Sequence, residues 1–335
     1  MLEARGLVVW LVNARDARAP AGPPKTDRLD AVWLAKLAER GMLRPSFVPP
    51  APIRRLRDLT RYRADPVAVR TAEKQRVEKL LEDAQIKLSV VASDIFGVSG
   101  RAMLAALIQG ERDPKRLAQL ARTRLRAKLG QLQEAFTGQF TDHHAFLLQT
   151  MLGRIDQASA DIAELDRKIE AEIAPLGAAV ERLDEITGVG RTAAQTIIAE
   201  IGTDMARFPT AGHLASWARY APGVNQSAGK ATTGHGNPYL ARVLGEAAVA
   251  AGKTNTFLGE RYRRIARRRG TKKAIVAVGR SILVIVWHLL ADPNLRYHDL
   301  GASFYDTHVN AERAKRNHVR QLEALGYRVT LEPAA

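Results

Sequence analysis

The chain has 335 residues and carries 51 Lys and Arg against 35 Asp and Glu, a formal net charge of +16. Its length allows two or three domains, an apolar content of 46% excludes full disorder, and the charge favours a polyanionic partner. The lack of cysteine removes disulfide scaffolds, thiolate zinc sites, cysteine nucleophiles and iron–sulfur clusters, and is compatible with a reducing cytosol.

In chain order, residues 7–12 (LVVWLV) are too short and lack the cleavage signal of a secretory leader, and read as one buried β-strand. A stretch rich in Ala, Pro and Gly follows through Pro24. TDRLDAVWLAKLAERG (26–41) then predicts a helix capped by Thr26, with Ala31, Leu34, Ala35 and Leu37 at apolar spacing and Gly41 as the stop. Strand and helix together look like the last unit of an α/β sheet. Pro45, Pro49, Pro50 and Pro52 mark a linker, after which residues 53–88 show helical apolar spacing and dense charge. Pro66 predicts a break there, because proline lacks the backbone donor and clashes with the preceding turn. From residue 145 to about 172, Leu147, Met151, Ile155, Ile162, Leu165 and Ile169 form a coiled-coil-like stripe. It suits a hairpin packing on itself or a dimer contact.

LDEITGVGRTAAQTIIAEIG (183–202) resembles a helix-hairpin-helix, in which Gly188 and Gly190 allow a tight turn and N–H groups of the next helix approach a phosphate. An ordinary glycine-containing turn between helices fits the same letters. A loop rich in Gly, Ser and Thr follows, with Ser227 and Lys230 in NQSAGK. A serine attacks a phosphodiester only where it is activated and the developing charge is stabilised, and most loop serines meet neither condition. Residues 261–280 hold nine basic and no acidic side chains: Arg261, Arg263, Arg264, Arg267, Arg268, Arg269, Lys272, Lys273 and Arg280. Such a run can be a solvated face, but standing unopposed beside an apolar helix it favours binding to a nucleic-acid backbone. Residues 274–290 are interrupted by Arg280 and His288, fall short of a membrane span and read as a core helix, so no membrane partner is expected.

Asp27 and Asp30 stand three apart, which puts both carboxylates on one helix face, as a shared divalent cation requires. Acidic residues in a first turn also favour the helix dipole, and two oxygens do not complete a magnesium shell. Asp142, His143 and His144 suit a helix start better than a ligand set. His213, His235 and His288 have no evident ligand partner in the sequence.

Taken together, KTDRLDAVWLAKL, RRLRDLTRYR, SVVASDIFGVSGRAML, ITGVGRTAAQTIIAEIGTDMARFPTAGHLASWARYAPGVNQSAGK and GHGNPYLARVLGEAA resemble the insertion-sequence 110 family transposases, the DEDD-type 110/116/902 group, over nearly the whole chain. The resemblance implies a mostly α fold. A remnant of an α/β RuvC-like (RNase H-like) domain spans 1–50, a helical coiled-coil region 51–180, a transposase domain with the helix-hairpin-helix-like motif 181–300, and a tail 301–335. It implies site-specific DNA recombination directed by a bridge RNA, with magnesium as cofactor; the apolar stripe of the helical region is expected to support a homo-oligomer. Asp27 and Asp30 then match the last two acidic residues of the family tetrad, and Ser227 the serine expected to form a transient phosphoserine link with DNA. The family's first Asp and its Glu, borne on earlier strands, have no counterpart. The sequence is therefore expected to be an N-terminally truncated copy that does not recombine DNA alone and at most binds nucleic acid.

Overall fold

Thr26 accepts a hydrogen bond from the Leu29 N–H and starts helix α1 (Asp27–Glu39); Gly41, at φ +64°, follows its C-cap Arg40. The computed structural model describes residues 5–14, 17, 26–43, 45–221, 236–307 and 311–332. They fall into two compact units, Met1–Arg54 and Arg55–Ala335. In the first unit α1 buries only Leu37, and its Trp33 indole donates to the Ala17 carbonyl at 2.9 Å. Residues 7–12 do not form the expected buried strand. They make one isolated antiparallel bridge, Val12 to Pro45, with the Ser46 N–H donating to the Leu11 carbonyl at 2.7 Å. Val8 is 89% exposed and Leu11 61%. A strand needs a ladder of backbone partners, and among the described residues only the 45–46 segment offers any. No sheet, and so no α/β layer, is present among those residues.

Helix α2 (Ala51–Asp83) runs unbroken through Pro66, against the predicted break. The cost of a proline inside a helix, about 3 kcal/mol, falls on one lost hydrogen bond and one crowded turn. Ties on either side of Pro66 oppose it: the Arg63 guanidinium grips Asp166, and Glu73 accepts from Arg154. Four short helices follow, α3 (Leu88–Val91), α4 (Val98–Ile108), α5 (Pro114–Gln119) and α6 (Leu129–Ala135), before the long α7 (Asp142–Ile173). The ion pairs Asp83–His144, Glu73–Arg154, Arg63–Asp166 and Arg55–Glu172 show that α2 and α7 run antiparallel. His144 also completes a capping box with Thr141, so its ring has a structural role. The buried stripe of α7 includes Leu148, Leu152, Ile155, Ile162, Leu165 and Ile169, while Leu147 and Met151 of the expected stripe are half-buried beside it. The end of α2 and the start of α7 close a core with Leu88, Met103, Leu104, Leu107 and Leu132.

The remaining helices are α8 (Gly177–Asp184), α9 (Arg191–Ile201), α10 (Ala211–Trp217), α11 (Pro238–Gly252), α12 (Phe257–Arg269), α13 (Thr271–Ala291), α14 (Phe304–Thr307) and α15 (Ala311–Ala324). Helix α13 is their hub, packed against α10, α11 and α12. Its length and composition would suit a membrane span, but Ala274, Val278, Ile282, Leu283, Val286 and Leu289 are buried against protein, as the core-helix reading expects. Each buried Val, Ile or Leu among them contributes roughly 1.5–3 kcal/mol relative to exposure. The Trp287 indole donates to the Phe208 carbonyl at 2.7 Å, tying α13 to the turn before α10.

Candidate nucleic-acid interface

The basic run of 261–280 splits into two groups once folded. Arg263 pairs with Glu260 and donates to the Gly252 and Thr254 carbonyls at 3.2 and 2.7 Å, bracing the turn between α11 and α12. Arg261 donates to the Tyr305 hydroxyl at 3.0 Å, and Arg264 lies 3.8 Å over the Tyr305 ring, which stacks on Phe257. These three arginines hold the chain together. Arg267, Arg268, Arg269, Lys272, Lys273 and Arg280 are exposed and have no acidic partner among the described residues.

The placement of the second group matters electrostatically. Arg267, Arg268 and Arg269 occupy the last turn of α12, where the helix dipole favours positive charge. Lys272 and Lys273 occupy the first turn of α13, where it does not, and that end has neither an acidic residue nor a side-chain cap. Each misplaced cation there costs up to about 1 kcal/mol until an anion arrives. The first N–H groups of α13 and five flanking cations therefore form one corner, suited to phosphate oxygens.

The turn between α8 and α9 is the second candidate. Gly188 has φ +89°, and a Cβ on it would stand 2.3 Å from the Ala247 carbonyl oxygen, so only glycine fits between this turn and α11. Gly190 caps α9 and faces open space. Arg191, the first residue of α9, makes a two-pronged contact with Glu170 of α7 at 2.9 and 2.6 Å. The hydrogen bond to Arg191 holds the Glu170 carboxyl below its ordinary range. The N–H groups at this helix start are thus presented beside a cation whose charge is already balanced.

Asp27 and Asp30 lie exposed in the first turn of α1, as expected from their spacing. No group of three or more His, Asp or Glu that could hold a metal ion occurs among the described residues. Two carboxylates supply only part of the six oxygens that magnesium requires, so these residues do not by themselves fit the cation. Ser227 and Lys230 lie outside the described residues, as does His235.

One cluster was not anticipated. Glu200 of α9 is fully buried. Arg61 of α2 donates to its two oxygens at 2.8 Å each, and Asn237, the N-cap of α11, also donates to it. Arg57 adds hydrogen bonds to the Ala199 and Glu200 carbonyls at 3.0 and 2.7 Å. The two arginines respond oppositely: the bond to Glu200 raises the pKa of Arg61, whereas burial lowers that of Arg57. A lone acidic residue in the otherwise apolar run IIAEI was the available signal, since Ile197, Ile198, Ala199 and Ile201 are all buried.

The described residues are largely helical and carry an unpaired basic corner, and comparison with known families places the chain among transposases. One family profile, described as transposase IS116/IS110/IS902 family, matches residues 180–263, from α8 into α12. A second, a transposase profile of the DEDD type in IS110 elements, matches residues 1–86, which include α1 and all of α2. The chain belongs to the IS110 family of transposases. No curated protein matches it. The unpaired cations from Arg267 onward lie beyond residue 263, where the matched stretch 180–263 ends, so that corner is read from the structure and charge alone.

Proposed function

We propose that this chain is a DNA strand-transfer protein of an insertion sequence that holds nucleic-acid backbone at the α12–α13 corner. The observation that carries the reading is the set of exposed cations Arg267, Arg268, Arg269, Lys272, Lys273 and Arg280, unpaired among the described residues of a transposase-family chain. Phosphate neutralisation releases counterions, so affinity falls with salt by about 0.9 logarithmic units per phosphate contact on duplex DNA. The turn at Gly188 and Gly190 adds N–H groups of α9 as a further phosphate contact in the helix-hairpin-helix manner. Bridge RNA is the second polyanion of this reading, and a homo-oligomer through α2 and α7 its assembly.

Ser227 is the proposed nucleophile, with Lys230 near it in sequence as a phosphate contact. A bond from its Oγ to phosphorus forms as the bond from phosphorus to the departing strand end breaks, and the hydroxyl proton ends on the departing oxygen. Attack by a hydroxyl of the partner strand reverses the exchange. Asp27 and Asp30 belong to this reading as two ligands of a divalent cation whose shell needs further oxygens. In any preparation that forms a covalent protein–DNA adduct, Ser227→Ala abolishes it and leaves binding intact; an adduct that survives excludes this serine.

A second reading, nucleic-acid binding without chemistry, is favoured by one observation: Asp27 and Asp30 meet no third carboxylate among the described residues. Strand transfer that is lost in Asp27→Asn and Asp30→Asn, with binding unchanged, supports the first reading. Binding without any adduct under all divalent cations supports the second.

A further inference from the structure

A second basic segment lies among the short helices between α2 and α7. From Asp113 to Glu134 the chain carries six cations and no acid between those two residues, so charge can be balanced locally only at its ends. Arg116 is balanced in this way, by Glu111 and Asp113. Arg122, Arg124 and Arg126 are exposed and have no acidic partner among the described residues. The segment lies outside both matched stretches, so its reading rests on structure and charge.

The backbone that bears these arginines is tied down at both ends. The Arg122 N–H donates to the Ser99 hydroxyl of α4 at 2.9 Å, and the Lys128 ammonium donates to the Val91 carbonyl, at the end of α3, at 3.0 Å. Between the ties Thr123 has φ +50°, a left-handed conformation that a β-branched residue adopts only when its surroundings impose it. A short 3-10 helix (Thr123–Lys128) follows. With three residues per turn it sets Arg124 and Arg126 on either side of Leu125, which packs on the core closed by α2 and α7. A run of charge that served only to meet water would gain nothing from such anchoring. A surface for an extended polyanion gains by having its cations placed before the ligand arrives.

We propose that Arg122, Arg124 and Arg126 form a second seat for the backbone of duplex DNA, so that one chain holds two duplexes. The proposal rests on the proposed function, since strand transfer joins two DNA partners and the α12–α13 corner accounts for one. The two surfaces stand on different elements: this segment packs with α3 and α6, whereas the corner packs with α10 and α11. No aromatic residue lies between Asp113 and Glu134, so an unstacked base of a single strand has no ring to rest on. What the segment offers is guanidinium groups, whose paired donors match phosphate oxygens.

The test counts bound duplexes per chain by sedimentation, with the full chain and a labelled DNA duplex of about 20 base pairs, two helical turns. Wild type is compared with three variants. The middle variant replaces Arg122, Arg124 and Arg126 by Ala, and its control replaces the same three by Lys. The corner variant replaces Arg267, Arg268, Arg269, Lys272 and Lys273 by Ala. Wild type and the Lys control are expected to hold two duplexes, and the middle and corner variants one each. All should keep their melting temperature within a few degrees, because the replaced side chains are exposed and unpaired. Two duplexes on the middle variant, with unchanged salt dependence, overturn the proposal and leave a solvated face. So does a middle variant that melts far lower, which marks these arginines as structural. One duplex on wild type, lost only in the corner variant, overturns the second seat and leaves the proposed function standing. One duplex lost in either variant means that both surfaces share it, which also overturns the second seat. One duplex lost only in the middle variant overturns the corner of the proposed function, and the pairing of two seats with it. In the corner variant, tighter binding of a single strand or an RNA duplex of the same length than of the DNA duplex overturns the choice of duplex DNA.

Discussion

Helices α1 and α13 both carry apolar residues at helical spacing, yet α13 buries its apolar face along its length while α1 buries only Leu37. Leu29, Val32 and Leu34 of α1 remain exposed. The difference lies in what surrounds them. Helix α13 has α10, α11 and α12 packed on it, whereas α1 belongs to a unit whose described residues contribute one further short extended segment. Amphipathic spacing fixes which face of a helix can be buried, and the neighbours decide whether it is.

A charge placed in each helix separates the two most sharply. Val278→Asp puts an unpaired carboxylate at a fully buried position of α13, and should cost more than about 4 kcal/mol, enough to leave no cooperative unfolding transition. Val32→Asp in α1 should change stability by less than about 0.5 kcal/mol. Equal losses at the two sites, measured by denaturant unfolding, would mean that α1 is covered as well as α13. Gly188→Ala comes next in size. It forces a side chain into a left-handed conformation and against the Ala247 carbonyl, so about 2–4 kcal/mol should be lost, again by denaturant unfolding. Gly190→Ala, facing open space, should be far milder.

A smaller effect sharpens the view of the α13 core through pH. Burial pushes the Tyr220 phenol up to about 12 from its ordinary 10.0. The unfolded chain therefore gives up this proton first as pH rises, and the contribution of Tyr220 is fully present below pH 10 and lost as pH climbs to about 12. Tyr220→Phe should flatten the alkaline limb of the stability curve while giving up only the long bond to Ala241. An unchanged alkaline limb would place the phenol in water.

The sequence made the helix starts and the core helix legible because they depend on neighbours three or four residues away. Thr26 before α1 and the periodic apolar residues of 274–290 are of this kind. Residues 7–12 were misread because a β-branched apolar run states a preference for extended backbone and says nothing about a partner strand. Pro66 was misread for a related reason: its local penalty is real, but α7 supplies ties on both sides of it. In the basic run, sequence could count nine cations and could not show that Arg261, Arg263 and Arg264 are engaged by Tyr305, Glu260 and backbone carbonyls. The Glu200 cluster was least legible, since its partners come from α2 and from the far side of the serine stretch.

In the proposed function the free cations at the α12–α13 corner, and not the braced arginines, hold nucleic-acid backbone. The direct measurement is the slope of log K against log salt for duplex DNA, in wild type and in the triple variant Arg267→Ala, Arg268→Ala, Arg269→Ala. The slope should flatten by up to about 2.7, at about 0.9 for each lost contact, with the melting temperature lowered by no more than a few degrees, because the three contribute to the fold only through the helix dipole. An unchanged slope would contradict the account and reduce the corner to a solvated face.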